Sequence, residues 1–169
     1  KNNSSKVSHY DVNNNAIDFL KHSKNQNNFI FLHYMDVHPP YLNNNSFSDN
    51  IAGYDYDMNK LYNSNIKKDT KQADYIKIMA GNKMRELDFQ LGRLFSDLEM
   101  LDMIDNTAFI LFSDHGVNIP SDGTPNWQNK LFTKERLNVP LLLRCPWLEK
   151  NNEMKNDYFV ESSIDLMPT

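Results

Sequence analysis

Apolar side chains recur every three or four positions along two stretches of the chain, and polar side chains fill the positions between them. The longer stretch carries its apolar residues at Met84, Leu87, Leu91, Leu94, Phe95, Leu98 and Leu101. The shorter one, DVNNNAIDFLKHS, carries them at Val12, Ala16, Ile17, Phe19 and Leu20. Because an α-helix turns about once every 3.6 residues, this spacing predicts a short and a long amphipathic helix, each burying one face.

Three continuous apolar runs show a different pattern, without a polar face. They are FIFLHYM at 29–35, TAFILFSD at 107–114 and VPLLLRCP at 139–146. Such runs are typical of strands that are covered on both faces. Because helices alternate with these strands, the pattern predicts an α/β fold with a mainly parallel sheet sandwiched by helices. Neither a repeat nor a linker divides the chain, so residues 1–169 are expected to belong to one domain.

The composition narrows the class of protein without indicating a reaction. The 169 residues are 40% hydrophobic, which is enough to form the core of one domain. The net charge is −4 and the basic residues are scattered, so we expect no nucleic-acid partner. No apolar run approaches the roughly 20 residues of a membrane helix, so no transmembrane segment is expected in this chain. The single cysteine, Cys145, excludes an internal disulfide and is expected to be a small buried residue, and the compartment stays unknown.

Chemically versatile side chains stand near the ends of the apolar runs. Asp36 and His38 follow the first run, Asp114 and His115 close the second, and Lys130 lies in the loop before the third. In open α/β sheets, ligands bind beyond the carboxyl ends of the strands. We therefore expect the two histidines, Asp114 and Lys130 to open into one cleft at the same edge of the sheet.

Asp114 and His115 leave two interpretations open. Gly116 can let the backbone turn after the strand so that the carboxylate and the imidazole converge on one point, which suits a divalent cation. Alternatively, the three residues form an ordinary turn in which Asp114 accepts backbone N–H bonds and His115 is merely polar. For an isolated Asp-His-Gly, the ordinary turn is the commoner arrangement.

His38 and Lys130 are candidates for contacting an anion. Pro39 and Pro40 hold the chain extended after His38, so its imidazole could bind an anionic oxygen or protonate a leaving group. An ammonium group at Lys130 could neutralise a sulfate or phosphate oxygen. The alternatives are a loop histidine bonded to a backbone carbonyl and a solvated loop lysine. His33, which lies inside the first apolar run, is expected to be a core residue.

Four segments form an ordered set: FIFLHYMDVHPPY, LDFQLGRLFSDLEMLDMIDNTAFILFSDHG, NWQNKLFTKERLNVPLLLRCPWL and SSIDLMPT. The set resembles the later part of the sulfatase family, which belongs to the alkaline-phosphatase superfamily. The resemblance implies that Asp114 and His115 bind a divalent metal, most often calcium in that family. It also implies that His38 and Lys130 contact the sulfate group of the substrate.

The nucleophile that the resemblance implies is not among these residues. Sulfatases carry it upstream in a Cys- or Ser-x-Pro-x-Arg pattern, and Cys145 followed directly by Pro146 does not fit that pattern. We therefore expect the C-terminal portion of a catalytic domain, inactive alone, whose parent hydrolyses a small anionic ester or a sulfated saccharide. The alternatives are a phosphotransferase or phosphodiesterase of the same superfamily acting on the cell envelope, and a catalytically inactive binding domain.

Overall fold

The computed structural model describes residues 8–41, 56–57, 61, 70–118 and 133–149. In chain order, its elements are helix α1 (His9–Ser23), helix α2 (Thr70–Met100), a 3-10 turn (Ile104–Asn106), strand β1 (Phe109–Phe112), helix α3 (Lys134–Leu137), strand β2 (Leu141–Arg144) and helix α4 (Pro146–Glu149). No helix in these ranges is long and apolar enough to cross a membrane. Both predicted helices and the second and third predicted strands are present in the predicted order.

Helix α1 begins two residues earlier than the apolar spacing indicates, because a capping box precedes it. The Ser8 hydroxyl accepts a hydrogen bond from the Asp11 amide (3.4 Å), and the Asp11 carboxylate accepts one from the Ser8 amide (3.0 Å). These bonds satisfy amides that have no partner within the helix. The backbone bond from Ser8 is the largest of the causes that lower the pKa of Asp11.

Helices α1 and α2 pack together along their apolar faces. The buried contacts come from Ile17 and Leu20 of α1 and from Leu94 and Leu98 of α2, and Phe109 of β1 packs against them. The spacing of these residues is the one from which both helices were predicted, so the second half of α2 agrees with the sequence pattern.

Helix α2 begins well before the predicted start, and at its centre the buried face differs from the predicted one. The helix buries Ile76 and Met79 in a second apolar cluster well before the predicted start. In its centre, Met84 is 64% exposed, whereas Lys83 and Glu86 are buried. The predicted apolar face is therefore wrong at this turn, because buried polar side chains of α1 have their partners there.

Helix α2 ends in a Schellman motif. The Met103 amide donates to the Leu98 carbonyl and the Asp102 amide to the Glu99 carbonyl, each at 2.9 Å. The backbone of Asp102 has a φ of 56°, in the left-handed region. These bonds satisfy carbonyl groups that the helix end would otherwise leave unpaired, and the chain turns toward β1.

Strands β1 and β2 pair antiparallel, so the described residues do not confirm the predicted mainly parallel sheet sandwiched by helices. Phe109 lies opposite Arg144, and these two strands form the one sheet found in the described ranges. Continuous apolar runs indicate strands but not their direction, because direction depends on which distant segments pair. The strands are also not covered on both faces, since Ile110 is 51% exposed and Leu142 is 61% exposed.

Residues 29–35, predicted to be a buried strand, are assigned to no strand in the structure. The exposed side chains are every second residue: Phe29, Phe31, His33 and Met35. Between them, Ile30 and Leu32 pack against the α1–α2 core. A period of two is that of an extended backbone with one covered face. Burial on both faces is therefore wrong for this segment, and so is the expectation that His33 lies in the core.

Candidate active site

The residues that follow β1 form a hydrogen-bonded turn with two side chains facing solvent. The His115 amide donates to Asp114 Oδ1 at 2.9 Å, and the Ser113 hydroxyl donates to the His115 carbonyl at 2.8 Å. The side chains of Asp114 and His115 are 84% and 44% exposed. Asp114 thus accepts a backbone N–H bond, as in an ordinary turn, while its second oxygen, Oδ2, accepts no hydrogen bond within the described part of the chain.

Asp114 Oδ2 and the outer ring nitrogen of His115 lie close enough to share one ligand. The distance between Oδ2 and His115 Nε2 is 3.8 Å. His115 Nδ1 is 2.9 Å from the Gly116 carbonyl, and a ring nitrogen that donates to a carbonyl leaves Nε2 free to bind a cation.

A carboxylate oxygen and an imidazole nitrogen are donors that divalent cations accept. Calcium, however, takes about six to eight ligands, most of them oxygen. Asp114 and His115 therefore fit two positions of a cation site. The residues described here hold no group of three or more His, Cys, Asp or Glu side chains that could complete one.

Gly116 is needed at the end of the turn for close packing rather than for unusual backbone freedom. Its amide donates to the Arg136 carbonyl at 2.8 Å, which joins the turn to helix α3. A Cβ atom at this position would collide with the Glu135 carbonyl oxygen, a backbone atom that cannot rotate away. The φ of Gly116 lies outside the left-handed region. The absence of a side chain thus lets α3 approach the end of β1.

His38 lies exposed in the loop after residues 29–35, with one ring nitrogen engaged. Its Nδ1 is 2.6 Å from the Pro39 carbonyl oxygen, and its amide donates to the Met35 carbonyl at 3.1 Å. Because a carbonyl oxygen only accepts, the ring contact requires a proton on Nδ1. Nε2 is left without a partner among the described residues and is available to a ligand.

The candidate residues are not all joined by direct contacts. No hydrogen bond or ion pair within the described ranges connects His38 with Asp114 or His115. Lys130 lies outside those ranges. The convergence of the four side chains on one cleft therefore stays a prediction. Cys145, expected to be a small buried residue, is 7% exposed and unpaired, which agrees with a packing role rather than a nucleophilic one.

Four side chains form a buried ion network that the sequence did not indicate: His9, Lys83 and Glu86, which are buried, and Asp36, whose side chain is 11% exposed. His9 Nδ1 is 2.7 Å from Asp36 Oδ1, and His9 Nε2 is 3.6 Å from Glu86 Oε1. Lys83 Nζ donates to Glu86 Oε2 at 2.9 Å. The only local signal is the spacing of Lys83 and Glu86 three residues apart, which exposed helix faces show as well.

One helical turn further along α1, the side chain of Asn13 joins α1 to Tyr34 and to α2 through hydrogen bonds. The Tyr34 hydroxyl donates to Asn13 Oδ1 at 2.6 Å, and Asn13 Nδ2 donates to the Gln90 carbonyl at 3.0 Å. Burial, followed by the negative charge of Asp36, raises the pKa of Tyr34 to about 12. The stretch before His38 is thus fastened to α1 at Tyr34 and at Asp36.

Comparison with known proteins decides the family. A model described as Sulfatase matches residues 2–169, nearly the whole chain. The chain belongs to the sulfatase family. The family resemblance of the four ordered segments is thereby confirmed, and the observed mixture of helices and strands agrees with the α/β fold of a sulfatase domain.

Three curated sulfatases are similar to this sulfatase chain over part of their own length. An endo-4-O-sulfatase of Bacteroides thetaiotaomicron is 25% identical over 166 residues, covering 91% of this chain and 31% of the relative. An ulvan-active sulfatase of Formosa agariphila is 28% identical over 88 residues, covering 52% of this chain and 13% of the relative. Arylsulfatase K of Canis lupus familiaris is 30% identical over 84 residues, covering 50% of this chain and 15% of the relative. The chain thus spans less than a third of each of these relatives, and no solved structure matches it.

Proposed function

We propose that this chain is part of the catalytic domain of a metal-dependent sulfatase that hydrolyses sulfate esters. The observation that carries the proposal is the end of β1, where Asp114 Oδ2 and His115 Nε2 lie 3.8 Å apart on exposed side chains. The sulfatase resemblance assigns metal binding to these two positions, and calcium is the metal we propose. The family match over residues 2–169 supports the same function.

The candidate site residues have separate roles around a bound sulfate ester. His38 directs Nε2 toward a sulfate oxygen or the leaving oxygen, because the Pro39 carbonyl holds its Nδ1. Lys130, outside the described residues, neutralises a second sulfate oxygen. When bound at Asp114 and His115, a divalent cation supplies positive charge that stabilises the sulfate group.

A sulfated saccharide is the substrate class we propose. The names of two relatives, an endo-4-O-sulfatase and an ulvan-active sulfatase, support a saccharide ester. The name of a third, arylsulfatase K, points to aryl sulfates, and such esters are convenient probes of the same bond cleavage.

We propose further that residues 1–169 form part of one catalytic domain whose nucleophile lies in another segment. No Cys- or Ser-x-Pro-x-Arg pattern occurs in the sequence. Exposed apolar side chains, such as Phe31 (67%) and Leu142 (61%), support packing against further parts of a larger domain. The chain alone is expected to be inactive, since a nucleophile and its supporting groups act as a unit.

The test uses the full-length parent protein with para-nitrophenyl sulfate and para-nitrophenyl phosphate. We expect turnover of the sulfate ester that a chelator abolishes and calcium restores, and little turnover of the phosphate ester. Sulfate hydrolysis that persists after complete removal of metal contradicts metal dependence. Turnover of neither ester with the metal retained contradicts the hydrolase, and preferential turnover of phosphate identifies the phosphotransferase or phosphodiesterase alternative.

A further inference from the structure

We propose that His9 is a positioning residue for His38 and acts through its contact with Asp36. The inference rests on the proposed function, in which His38 contacts the sulfate group. The observation behind it is the contact between His9 Nδ1 and Asp36 Oδ1, 2.7 Å long, between residues 27 positions apart. Asp36 stands two residues before His38. Among the described residues, no other side-chain hydrogen bond to a helix or strand lies between this contact and His38 along the chain.

The contact between His9 and Asp36 is shielded from water and held by a helix. The side chains of His9 and Asp36 are 4% and 11% exposed, so water competes little for the bond. His9 is the first residue of α1, whose start is fixed by the capping box of Ser8 and Asp11. The imidazole therefore projects from a defined helix end, and its acceptor is a carboxylate, which forms hydrogen bonds of the stronger class.

The other members of the buried ion network restrict rotation of the His9 ring. His9 Nε2 is buried without a hydrogen-bond partner in the described residues and lies 3.6 Å from Glu86 Oε1. Glu86 is itself held by Lys83 at 2.9 Å. Carboxylates from two elements thus flank the two ring nitrogens. Rotation of the ring away from this orientation would separate Nδ1 from Asp36.

The short path from Asp36 to His38 transmits this restraint. The His38 amide donates to the Met35 carbonyl at 3.1 Å, which closes a turn that contains Asp36. The His38 ring itself forms a hydrogen bond only with the neighbouring Pro39 carbonyl among the described residues, at 2.6 Å. The position of His38 therefore depends on Asp36, and through Asp36 on His9. A misplacement of about 1 Å in a catalytic group can lower a rate about 100-fold.

Three variants of the full-length parent test the link with para-nitrophenyl sulfate as substrate. His9→Ala removes the donor, and we expect kcat/KM to fall about 10- to 100-fold. His9→Asn places an amide N–H near the position of Nδ1, and we expect it to recover most of the activity. Tyr34→Phe is the matched control, because it removes the other side-chain hydrogen bond between this stretch and α1. It should change kcat/KM little.

A coupling measurement separates positioning from a general loss of stability. In a His38→Ala background, we expect His9→Ala to cause no further loss of kcat/KM, because the group that it positions is gone. Multiplicative losses, or equal losses for His9→Ala and Tyr34→Phe, overturn the inference and leave the sulfatase function intact. Should His9→Ala fail to fold, Asp36→Asn tests the same contact from the other side with the side-chain volume preserved.

A readout that does not need activity keeps the inference distinct from the proposed function. Hydrogen exchange in peptides that cover His38, measured by mass spectrometry on the same full-length variants, reports the turn closed on Met35. We expect faster exchange there in His9→Ala and not in Tyr34→Phe. If the wild-type protein turns over neither ester, the proposed function fails and exchange alone decides. Unchanged protection at His38 in His9→Ala then overturns the link.

Discussion

Each charge in the buried ion network needs a partner, because an ion taken out of water loses several kcal/mol of solvation. Both carboxylates of the network have a nitrogen neighbour within 3.6 Å. Such pairing offsets the lost solvation more than it adds stability. The network is therefore better understood as fixing how α1, α2 and the loop of His38 meet. Removing one member would leave its direct partner with one contact fewer in a site from which water is largely excluded.

Replacing Asp114 tests the proposed metal site at its more exposed ligand. Asn keeps an oxygen that can accept the His115 amide bond but lacks the charge that attracts a cation. We expect Asp114→Asn to raise the Kd of the full-length parent for calcium at least about tenfold, measured by calorimetry. Asp18→Asn is the charge-matched control, because it removes an exposed carboxylate that lies on α1, away from the proposed site. It should leave the Kd unchanged. Equal affinities of all three proteins would place the metal elsewhere.

Tyr34 gives the stability of the chain a dependence on alkaline pH. Its pKa is raised from 10.0 to about 12 in the folded chain, first by burial and second by the charge of Asp36. Because the folded state holds the proton more tightly, the hydroxyl's contribution is complete below pH 10 and is lost as the pH rises toward 12.

The difference in free energy of unfolding between wild type and Tyr34→Phe should therefore shrink across this window. Denaturant titrations at a series of pH values measure it, and groups common to both proteins cancel in the difference. A difference that stays constant between pH 10 and 12 contradicts the raised pKa of Tyr34.

At the scale of helices and strands, the ends of helices are the feature that apolar spacing predicts least well. Helix α1 begins at His9 because Ser8 and Asp11 satisfy its first amides. Such starts are set by polar hydrogen bonds, which periodicity does not count. Strands β1 and β2, by contrast, lie inside their predicted apolar runs.

The end of α2 offers a stability prediction that depends on backbone geometry. Asp102 adopts a φ of 56°, which glycine tolerates without strain. Its ion pair with Lys24, at 3.9 Å, is exposed and contributes little. We expect Asp102→Gly to raise the free energy of unfolding by about 0.5–1 kcal/mol. Asp102→Ala removes the same carboxylate but keeps the strain, so it should give no gain in urea titrations. A gain for both variants would assign the effect to charge.

For the whole molecule, the sequence indicates classes of side chain better than it indicates distant partners. Asp114 and His115 could be predicted as a pair because they are neighbours in the chain, and their proximity requires no particular fold. The direction of β1 against β2 and the contact of His9 with Asp36, 27 positions apart, arise only when separate segments pack. The relation of His38 to the proposed metal ligands is of the same long-range kind. The positions of these residues at strand ends and the family resemblance suggest it, but neither gives a distance.

The exposed apolar side of residues 29–35 yields a prediction about the protein as a whole. Phe31 is 67% exposed there. If residues 1–169 are part of a larger catalytic domain, this side is covered in the full-length parent. Phe31→Asp should then lower the parent's free energy of unfolding by about 2–4 kcal/mol, since it buries an unpaired charge. The separately expressed chain should lose no stability and become more soluble, because the same change removes an exposed apolar group.

Met84→Asp is the matched control for Phe31→Asp. Met84 is similarly exposed, at 64%, but stands on α2 rather than on the extended segment. We expect it to shift the unfolding free energy little in either protein, because exposed helix positions tolerate charge. Denaturant titrations of both variants, in the full-length parent and in residues 1–169, make the comparison. If Phe31→Asp has the same small effect in both proteins, this side faces solvent in the parent as well, and the placement of residues 1–169 within a larger domain loses its structural support.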